Sequence, residues 1–302
     1  MIEIHADDYA LTLNTSKDIL ELIKDGVLDG ISIIVNTSKR DGCIDLLLDA
    51  IPDLPFLPKM SVHLNLVEGK SLSSPDNRMI TATWKSLFLA SFIPFYRNVT
   101  KNHLKAEIAV QIEAGNLAVT KCIEKAKACN IRCDQKELRI DSHQHTHMIP
   151  VVWSALTEVI EENEYKVEYI RNSREPLGPF VNAKELIKTY RAVNLIKNRL
   201  LYILSYPVNR YCRNKGEKPM YLWGLMMSGR MDKDRASKLY DGLCKKSEKD
   251  GRDLEILFHP GRMTADEICG EIPRHSADDF YLSSDRDVEK AGAICIAARS
   301  GK

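Results

Sequence analysis

The sequence predicts an α/β fold, a distorted β/α barrel whose mainly parallel strands are covered by helices. Short apolar runs alternate with helical patterns along the chain, which is the order of repeated β-α units. No internal repeat or low-complexity linker interrupts them, and most connections are short. The 302 residues, 44% of them hydrophobic, supply enough apolar area for a sizeable core. We therefore expect one domain over 1–302, with excursions at about 69–100 and 172–230.

Strand-like and helical patterns alternate through the first hundred residues. In order, we predict a strand at 2–5, a helix at 14–25, a strand at 30–36, a helix at 42–50 and a strand at 61–66. Ile19, Leu20 and Ile23 share one face of the first helix, with an Asn or Thr cap before them and a glycine after them. Residues 69–100 lack clear periodicity, so we predict an excursion with short helical pieces, a kind of segment that often builds substrate pockets.

The rest of the chain continues the alternation. In order, we predict a helix at 101–129, a strand entering 138–150, a helix from 150 to about 163, a strand at 167–171, a helix from 185 to about 204, a strand at 221–226, a helix at 233–249, a strand at 254–258 and a helix opening at 285–291. Leu104, Ile108 and Ile112 lie at helical spacing in the first of these helices. The stretch 206–218 is basic and lacks periodicity, and we predict irregular structure there.

One segment, LRIDSHQHTHMIP at 138–150, is rich in groups that can bind a metal. Asp141, His143, His145 and His147 fall at every second position, so an extended backbone would direct all four side chains to one side. Imidazole and carboxylate are the usual nitrogen and oxygen ligands of divalent ions. The simpler alternative is a polar strand edge whose histidines cap backbone carbonyls. Three of the chain's eight histidines within five residues favour a metal site.

Other polar residues stand at the predicted strand ends. Asp7 and Asp8 follow the first strand, His63 lies in the third, and Arg171 and His259 end two later strands. Each has a simpler explanation, because acids after a strand often form turns or caps, an isolated histidine often packs in a core, and His-Pro-Gly is a common turn. In a parallel barrel, however, the carboxyl ends of the strands form the active-site rim. The joint placement favours metal-assisted hydrolysis.

The overall composition excludes some classes of partner. Lys plus Arg (43) and Asp plus Glu (42) leave a formal charge of +1, so we expect neither nucleic acid nor a membrane as a partner, and recognition must come from local charge. The eight cysteines include no CxxC pair and are predicted to be reduced thiols. The first residues lack the regions of a signal peptide, and the apolar run 86–95 is too short to span a bilayer. We expect a cytoplasmic protein.

Five motifs carry a family resemblance: HADDY near the start, SVHLNL followed by Glu68-Gly69, DSHQHTH, FHPG, and the late SSDRDVE. Together they resemble the YdjC-like carbohydrate deacetylases, which include chitooligosaccharide deacetylases, over residues 2 to about 291. The resemblance implies a fold like that of the polysaccharide deacetylases, and a hydrolase that removes acetyl from N-acetylated amino sugars. The chain departs from the pattern at His5, where the family commonly has Asn, and at Tyr9-Ala10 in place of Phe-Gly.

The resemblance also implies a role for several side chains. Spacing alone would allow His145 with His147 as ligands, whereas the resemblance implies Asp8, His63 and His143 as metal ligands. It further implies Asp7 as the general base and His259 as the acid that protonates the leaving amine. We predict that Arg171 orients Asp7. His145, His147 and Asn65 are candidates for contacts to the substrate or to the ligands, and simple packing remains open for the two histidines.

The cofactor and partners follow from the same resemblance. It implies a divalent ion, usually magnesium, although two imidazoles and one carboxylate suit zinc at least as well. The expected partner is an N-acetylated sugar, and a homodimer is possible. The residues alone leave other functions open, namely another metal-dependent hydrolase, such as a phosphoesterase or a cyclic-amide hydrolase, or a sugar-binding protein without turnover.

Overall fold

In the computed structural model, which describes residues 1–76, 78–216, 218–267 and 280–301, seven parallel strands form one sheet. The strands are β1 (Ile2–Tyr9), β2 (Gly30–Ile33), β3 (Lys59–Leu64), β4 (Leu138–Ser142), β5 (Val167–Ile170), β6 (Met220–Trp223) and β7 (Asp253–Phe258). Their order in the sheet is β5-β4-β3-β2-β1-β7-β6. The sheet curls into a half-barrel surrounded by helices, so the predicted barrel-like α/β fold is confirmed.

Helices connect and cover the strands. They are α1 (Leu13–Lys24), α2 (Arg40–Ala50), α3 (Trp84–Ala90), α4 (Pro94–Ala128), α5 (Pro150–Glu162), α6 (Gly178–Asn182), α7 (Ala192–Asn214), α8 (Lys233–Lys249) and α9 (Asp285–Arg299), with 3₁₀ turns at Ile51–Asp53, His143–Met148 and Lys184–Thr189. The cap of α1 is Thr12, whose side chain accepts the backbone N–H of Thr15. None of the helices within the described ranges combines the length and apolarity needed to cross a membrane.

The two faces of the sheet differ in chemistry. Outward-facing residues such as Ile4, Val62 and Ile256 are buried against the helices and form the apolar core. The concave face instead carries polar and charged side chains, because alternate residues of a strand point to opposite faces. These buried polar residues are Glu3, His5, Asp7, Ser32, His63, Arg139, Asp141 and Glu255. An inner face of this kind needs internal charge compensation, because buried charges are costly unless paired.

The segment 138–150 is not the extended backbone with four metal-binding side chains on one side that the spacing predicts. The strand ends at Ser142, and Gln144 and His145 have φ angles of +53° and +56°, in the left-handed region. The Ser142 hydroxyl accepts the backbone N–H of His147 at 2.9 Å and closes the turn. The prediction was wrong because this turn depends on local side-chain hydrogen bonds that hydrophobic periodicity does not report. The four side chains therefore point in different directions.

Two helix boundaries also differ from the prediction. Helix α4 begins at Pro94, which occupies the first turn, where no backbone donor is needed. Helix α7 begins at Ala192 and continues through Pro207 to Asn214, so the predicted irregular stretch 206–218 is largely helical. Pro207 suggested a helix end because it lacks a donor. The packing of Val208 and Cys212 against the core keeps the chain helical beyond it.

Glu175 closes the gap between the edge strands β5 and β6. Its carboxylate accepts the backbone N–H groups of Gly224, Leu225 and Met226 at 2.8–3.1 Å, and the Asn198 amide at 2.7 Å. Burial raises the pKa of Glu175 to about 7 despite these donors. The Glu175 side chain therefore accepts backbone N–H groups that a neighbouring strand would otherwise pair.

We predict that Glu175→Ala lowers the free energy of unfolding by roughly 3 kcal/mol or more, because it leaves three backbone donors buried without an acceptor. Chemical denaturation followed by circular dichroism measures this change. Glu185→Ala is the matched control, since Glu185 is exposed. Equal stability of the two variants would contradict the role of Glu175.

Candidate active site

The predicted catalytic and metal-binding residues meet at the carboxyl ends of the strands. Asp7 and Asp8 lie at the end of β1, and His63 lies near the end of β3. His143 and Arg171 directly follow β4 and β5, and His259 directly follows β7. The rim rule for parallel sheets therefore brings together residues that are far apart in sequence.

Asp8, His63 and His143 form a compact, buried group. One ligand atom from each lies within 4.8 Å of the other two. The Asp8 Oδ1 atom is 3.1 Å from His143 Nδ1 and 3.7 Å from His63 Nε2. Asp8 has a φ of +70°, and the register of β1 against β2 shifts between Ala6 and Tyr9. This irregularity turns Asp8 toward the two histidines, which a regular strand would not do.

The surroundings of His63 and Asp8 fit a divalent ion. The Nδ1 atom of His63 is 2.6 Å from Asp141, whereas its buried Nε2 atom has no hydrogen-bond partner among the described residues. A carboxylate behind one ring nitrogen and a free second nitrogen is the usual arrangement of a metal-ligating histidine. Both terminal nitrogens of Arg286 lie 3.1 Å from Asp8 Oδ2, which leaves Oδ1 toward the histidines. Two imidazoles and one carboxylate oxygen are a suitable donor set.

His143 has a carboxylate partner through a tyrosine. Its Nε2 atom is 2.7 Å from the Tyr281 hydroxyl, which donates to Glu68 at 2.8 Å. Burial alone would lower the pKa of His143, but Asp8 and Glu68 outweigh it and raise this pKa to about 10. Sequence reasoning placed Glu68 in a motif without a role and missed both Tyr281 and Arg286. The signal that could have indicated Arg286 is the late SSDRDVE motif.

Arg171 is the centre of the charged inner face. Its guanidinium lies 2.8 Å from Asp7, 2.8 Å from Asp141 and 2.6 Å from Glu255, and it is fully buried. Burial would raise the pKa of Asp7, but Arg171 outweighs it and holds this pKa well below its usual range. Asp7 is therefore ionised, and Arg171 stands where a residue that orients Asp7 is expected.

His259 lies on the other side of Asp7. Its Nε2 atom is 4.0 Å from Asp7 Oδ2, and its Nδ1 atom is 3.6 Å from Glu289. Glu289 also accepts the backbone N–H of His259 at 2.5 Å, and Phe280 packs edge-on against the ring. Glu289 of α9 thus holds the backbone of His259, while the buried Nδ1 atom has no hydrogen-bond partner among the described residues, and the Nε2 edge is directed to the candidate site.

The three remaining predicted residues mainly shape the rim. His147 lies with Nε2 2.8 Å from the Arg171 carbonyl oxygen, and burial lowers its pKa to about 4, so the ring is neutral and donates there. His145 Nδ1 is 2.9 Å from the Ser173 hydroxyl. Asn65 accepts two backbone N–H groups of the turn that leads to Glu68. The contacts of His147 and Asn65 are structural, while His145 is half-buried at the edge of the site.

His5, the departure noted in the sequence, is fully buried beneath the site. Its Nε2 atom is 2.7 Å from the Ser32 hydroxyl, which donates to Asp141 at 2.5 Å. A side chain at Gly30 would collide with the His5 ring, since a Cβ there would lie 2.4 Å from Nδ1. His5, Asp7 and Asp141 also have ligand atoms within 4.8 Å of one another. Arg171 already pairs with both acids, so a second cation there is disfavoured.

A cavity of about 510 Å³ adjoins the site. It is lined by backbone and side chains from the start of α1, from the loop after β2, and from Asn65, Glu68 and Gly69. Lys17 and Lys39 line it together with Asp266 and Glu267, so both signs of charge are present. Through Glu68 the cavity reaches the hydrogen-bond network of His143.

A family model described as YdjC-like protein matches residues 1–116 and 135–291. The chain belongs to the YdjC-like family. Both matched segments include the residues of the site, since Asp8 and His63 lie in the first and His143 and His259 in the second. The resemblance that the motifs indicated is thereby confirmed for the YdjC-like chain as a whole.

Similar proteins include two named carbohydrate deacetylases. The one from Thermoanaerobacter pseudethanolicus is 25% identical over 205 residues, which cover 67% of this YdjC-like chain and 74% of that protein. The one from Oceanobacillus iheyensis is 26% identical over 172 residues, covering 56% and 64%. A crystal structure from Enterococcus faecalis, provisionally named a cellobiose-phosphate cleavage protein, superposes with a TM-score of 0.50 at 14% identity over 99% of this chain and 94% of that one. That likeness concerns the fold alone.

We predict that Arg171→Met lowers the free energy of unfolding by about 3–5 kcal/mol, because it leaves buried carboxylates without their counterion. Arg171 holds the folded-state pKa of Asp7 and Asp141 low, so its stabilisation is present above the ordinary carboxylate pKa and is lost on acidification. The difference from the natural protein should therefore narrow as pH falls. Urea denaturation at several pH values tests this, with the exposed Arg78→Met as control.

Proposed function

We propose that this YdjC-like protein is a metal-dependent carbohydrate deacetylase, which hydrolyses the amide of an N-acetylated amino sugar or chitooligosaccharide and releases acetate. The observation that carries the proposal is the cluster of Asp8, His63 and His143, with a carboxylate partner behind each histidine and an unpartnered Nε2 on His63. The names of two relatives, both carbohydrate deacetylases, support the substrate class.

In this proposal, Asp8, His63 and His143 hold the divalent ion. A bound ion supplies Lewis acidity toward the amide carbonyl and lowers the pKa of a water molecule. Asp141 keeps His63 in the tautomer that leaves Nε2 available, and the Tyr281–Glu68 pair does the same for Nδ1 of His143. Arg286 neutralises the outer oxygen of Asp8. Neighbouring residues therefore orient the proposed ligand atoms before an ion binds.

Asp7 is proposed as the general base. Its Oδ2 atom is held by Arg171, while its Oδ1 atom is buried and has no hydrogen-bond partner within the described part of the chain. An ionised carboxylate with one free oxygen can accept the proton of an attacking water. His259 is proposed as the acid, since its Nε2 edge is near Asp7 and the Glu289 carboxylate lies 3.6 Å from its Nδ1 atom. Protonation of the amine makes it a better leaving group.

Two considerations point to different metals. The family resemblance implies magnesium, whereas two imidazole nitrogens are softer ligands than magnesium prefers and suit zinc. We propose a divalent ion, with magnesium as the ion implied by the resemblance. Comparing magnesium, manganese and zinc after removal of metal by a chelator identifies the ion that restores turnover.

The direct test of the function is acetate release from a panel of N-acetylated mono- and oligosaccharides, with and without chelator. We expect release from at least one amino sugar, and its loss with chelator. The same reactions measured for phosphate release from sugar phosphates, and for ring opening of cyclic amides, separate the other hydrolase classes. Sugar binding without any product would overturn the assignment as an enzyme.

We predict that Asp8→Ala and His63→Ala lose both bound metal and turnover, whereas Asp7→Asn retains metal and loses turnover by roughly two to four orders of magnitude, the usual contribution of a general base. Metal content by mass spectrometry and acetate release measure the two effects separately. His103→Ala, an exposed histidine on α4, is the control. Full metal occupancy in His63→Ala would reject the ligand set, and normal turnover in Asp7→Asn would remove Asp7 from its role.

We also predict that metal affinity rises with pH. The pKa of His143 is raised to about 10, so below that pH the metal-free ring carries a proton that an ion must displace. Affinity should increase about tenfold per pH unit, with about one proton released. Calorimetric titration in buffers of different ionisation enthalpy counts the proton. A pH-independent affinity would contradict the displacement of a proton from His143 by the ion.

A further inference from the structure

Acidic residues are absent from two long stretches of this chain. Residues 78–106 contain five Lys or Arg and residues 186–216 contain seven, and neither stretch contains Asp or Glu, although 42 of the 302 residues are acidic. The whole-chain charge of +1, on which the expectation of no membrane partner rests, conceals this asymmetry. Local charge of one sign is what recognises a partner of the opposite sign.

Both stretches also expose large apolar side chains. The turn from α3 to α4 exposes Phe92, Phe95 and Tyr96, with Phe95 75% accessible. Helix α7 exposes Ile196, Ile203 and Tyr206, each by about 70%. Isolated exposed apolar residues are common, but contiguous groups of them mark interaction sites.

Helix α7 is apolar on its outer side as well as its inner side, where Leu201, Val208 and Cys212 pack in the core. Its protein-facing side buries Asn198, Ser205 and Asn209, which need hydrogen bonds to Glu175, Asn172 and Arg252. Its outer side follows the spacing of one helix face and carries, in order, Val193, Ile196, Arg199, Ile203, Tyr206, Arg210 and Arg213. An ordinary surface helix has a polar outer side opposite its buried apolar stripe. The outer stripe of α7 therefore has the composition of a contact face.

The two stretches contact the same end of α5. Ser91, which follows α3, accepts the backbone N–H of Val151 in the first turn of α5 with its hydroxyl. On the other flank, Tyr211 of α7 packs edge-on against Trp153 of α5, with ring centroids 5.6 Å apart. The α3–α4 turn and α7 thus flank the first turn of α5. We call the exposed residues of 92–97 and the outer stripe of α7 the basic apolar face.

The charges of this face are available to a partner. Lys101 and Lys105 are excluded, because they pair with Glu158 and Glu162 of α5. The exposed side chains of Arg97, Arg210 and Arg213, by contrast, make no ion pair to any residue in the described ranges. Guanidinium groups beside exposed aromatic and aliphatic side chains suit a surface that is anionic outside and apolar beneath.

From this juxtaposition we propose that the basic apolar face docks on the surface of an anionic phospholipid bilayer. The apolar side chains of α7 and of the α3–α4 turn enter the boundary between headgroups and acyl chains, and the arginines contact phosphates. A second copy of the chain fits less well, because a twofold pairing of two such faces would oppose arginines without supplying an acid. This contact is a docking on the bilayer surface, and no helix in the described part of the chain has the length and apolarity to span it.

Co-sedimentation with vesicles tests the proposal on the full-length protein. We expect binding to vesicles of equal parts phosphatidylcholine and phosphatidylglycerol, little binding to phosphatidylcholine alone, and release at high salt. Arg210→Gln with Arg213→Gln should weaken binding by roughly an order of magnitude or more. The matched control is Lys121→Gln with Lys245→Gln, an equal loss of exposed charge on α4 and α8, which should leave binding unchanged.

A second pair of variants separates the apolar contribution from charge. Ile203→Ser with Tyr206→Ser should lose vesicle binding at constant charge, whereas Leu117→Ser, an exposed leucine of α4, should not. Circular dichroism confirms that each variant is folded. Absence of binding to anionic vesicles overturns the proposal. A dimer that is detected by light scattering and abolished by the Ile203 and Tyr206 changes would also overturn it. RNA binding that persists in the variant with these two changes would overturn it as well.

Discussion

The contact of Arg171 with Asp7, Asp141 and Glu255 is the interaction on which the inner face of this barrel depends. These side chains come from β1, β4 and β7 and from the residue after β5, so one guanidinium joins distant parts of the curled sheet. Closed barrels more often fill their interior with branched aliphatic residues. Here the interior is charged, and its stability rests on complete pairing, because a buried carboxylate without a counterion is strongly unfavourable.

That pairing is continuous with the candidate site. Asp141 contacts Arg171 with one oxygen and His63 with the other, so a carboxylate that Arg171 neutralises also sets the tautomer of a proposed ligand. His5, at the position where the resemblance leads to an asparagine, joins this network through Ser32. The His5 ring is therefore accommodated beneath the site, because Gly30 has no side chain that would collide with it. His5 makes no direct hydrogen bond to Asp8, His63 or His143.

Local patterns were sufficient to predict most of the fold, because strand and helix periodicity are properties of short segments. The helix over 233–249 was predicted with its observed bounds. Two exceptions were not predictable from periodicity: the left-handed turn at Gln144 and His145, which depends on side-chain hydrogen bonds, and the continuation of α7 through Pro207, which depends on packing against the core. The rim rule brought the predicted site residues together, but Tyr281 and Arg286 reach the site from the end of the chain, and no local pattern reports so distant a contact.

The pairing of Arg171 also has a consequence for how the chain is made. A ribosome delivers Asp7 and Asp141 well before Arg171 emerges, and Glu255 follows after all of them. A nascent chain that ends after β4 would have to bury two carboxylates without their guanidinium partner, which opposes early collapse of the inner face. We therefore expect that the first four strands do not fold on their own, and that the inner face assembles only once Arg171 and Glu255 have been translated.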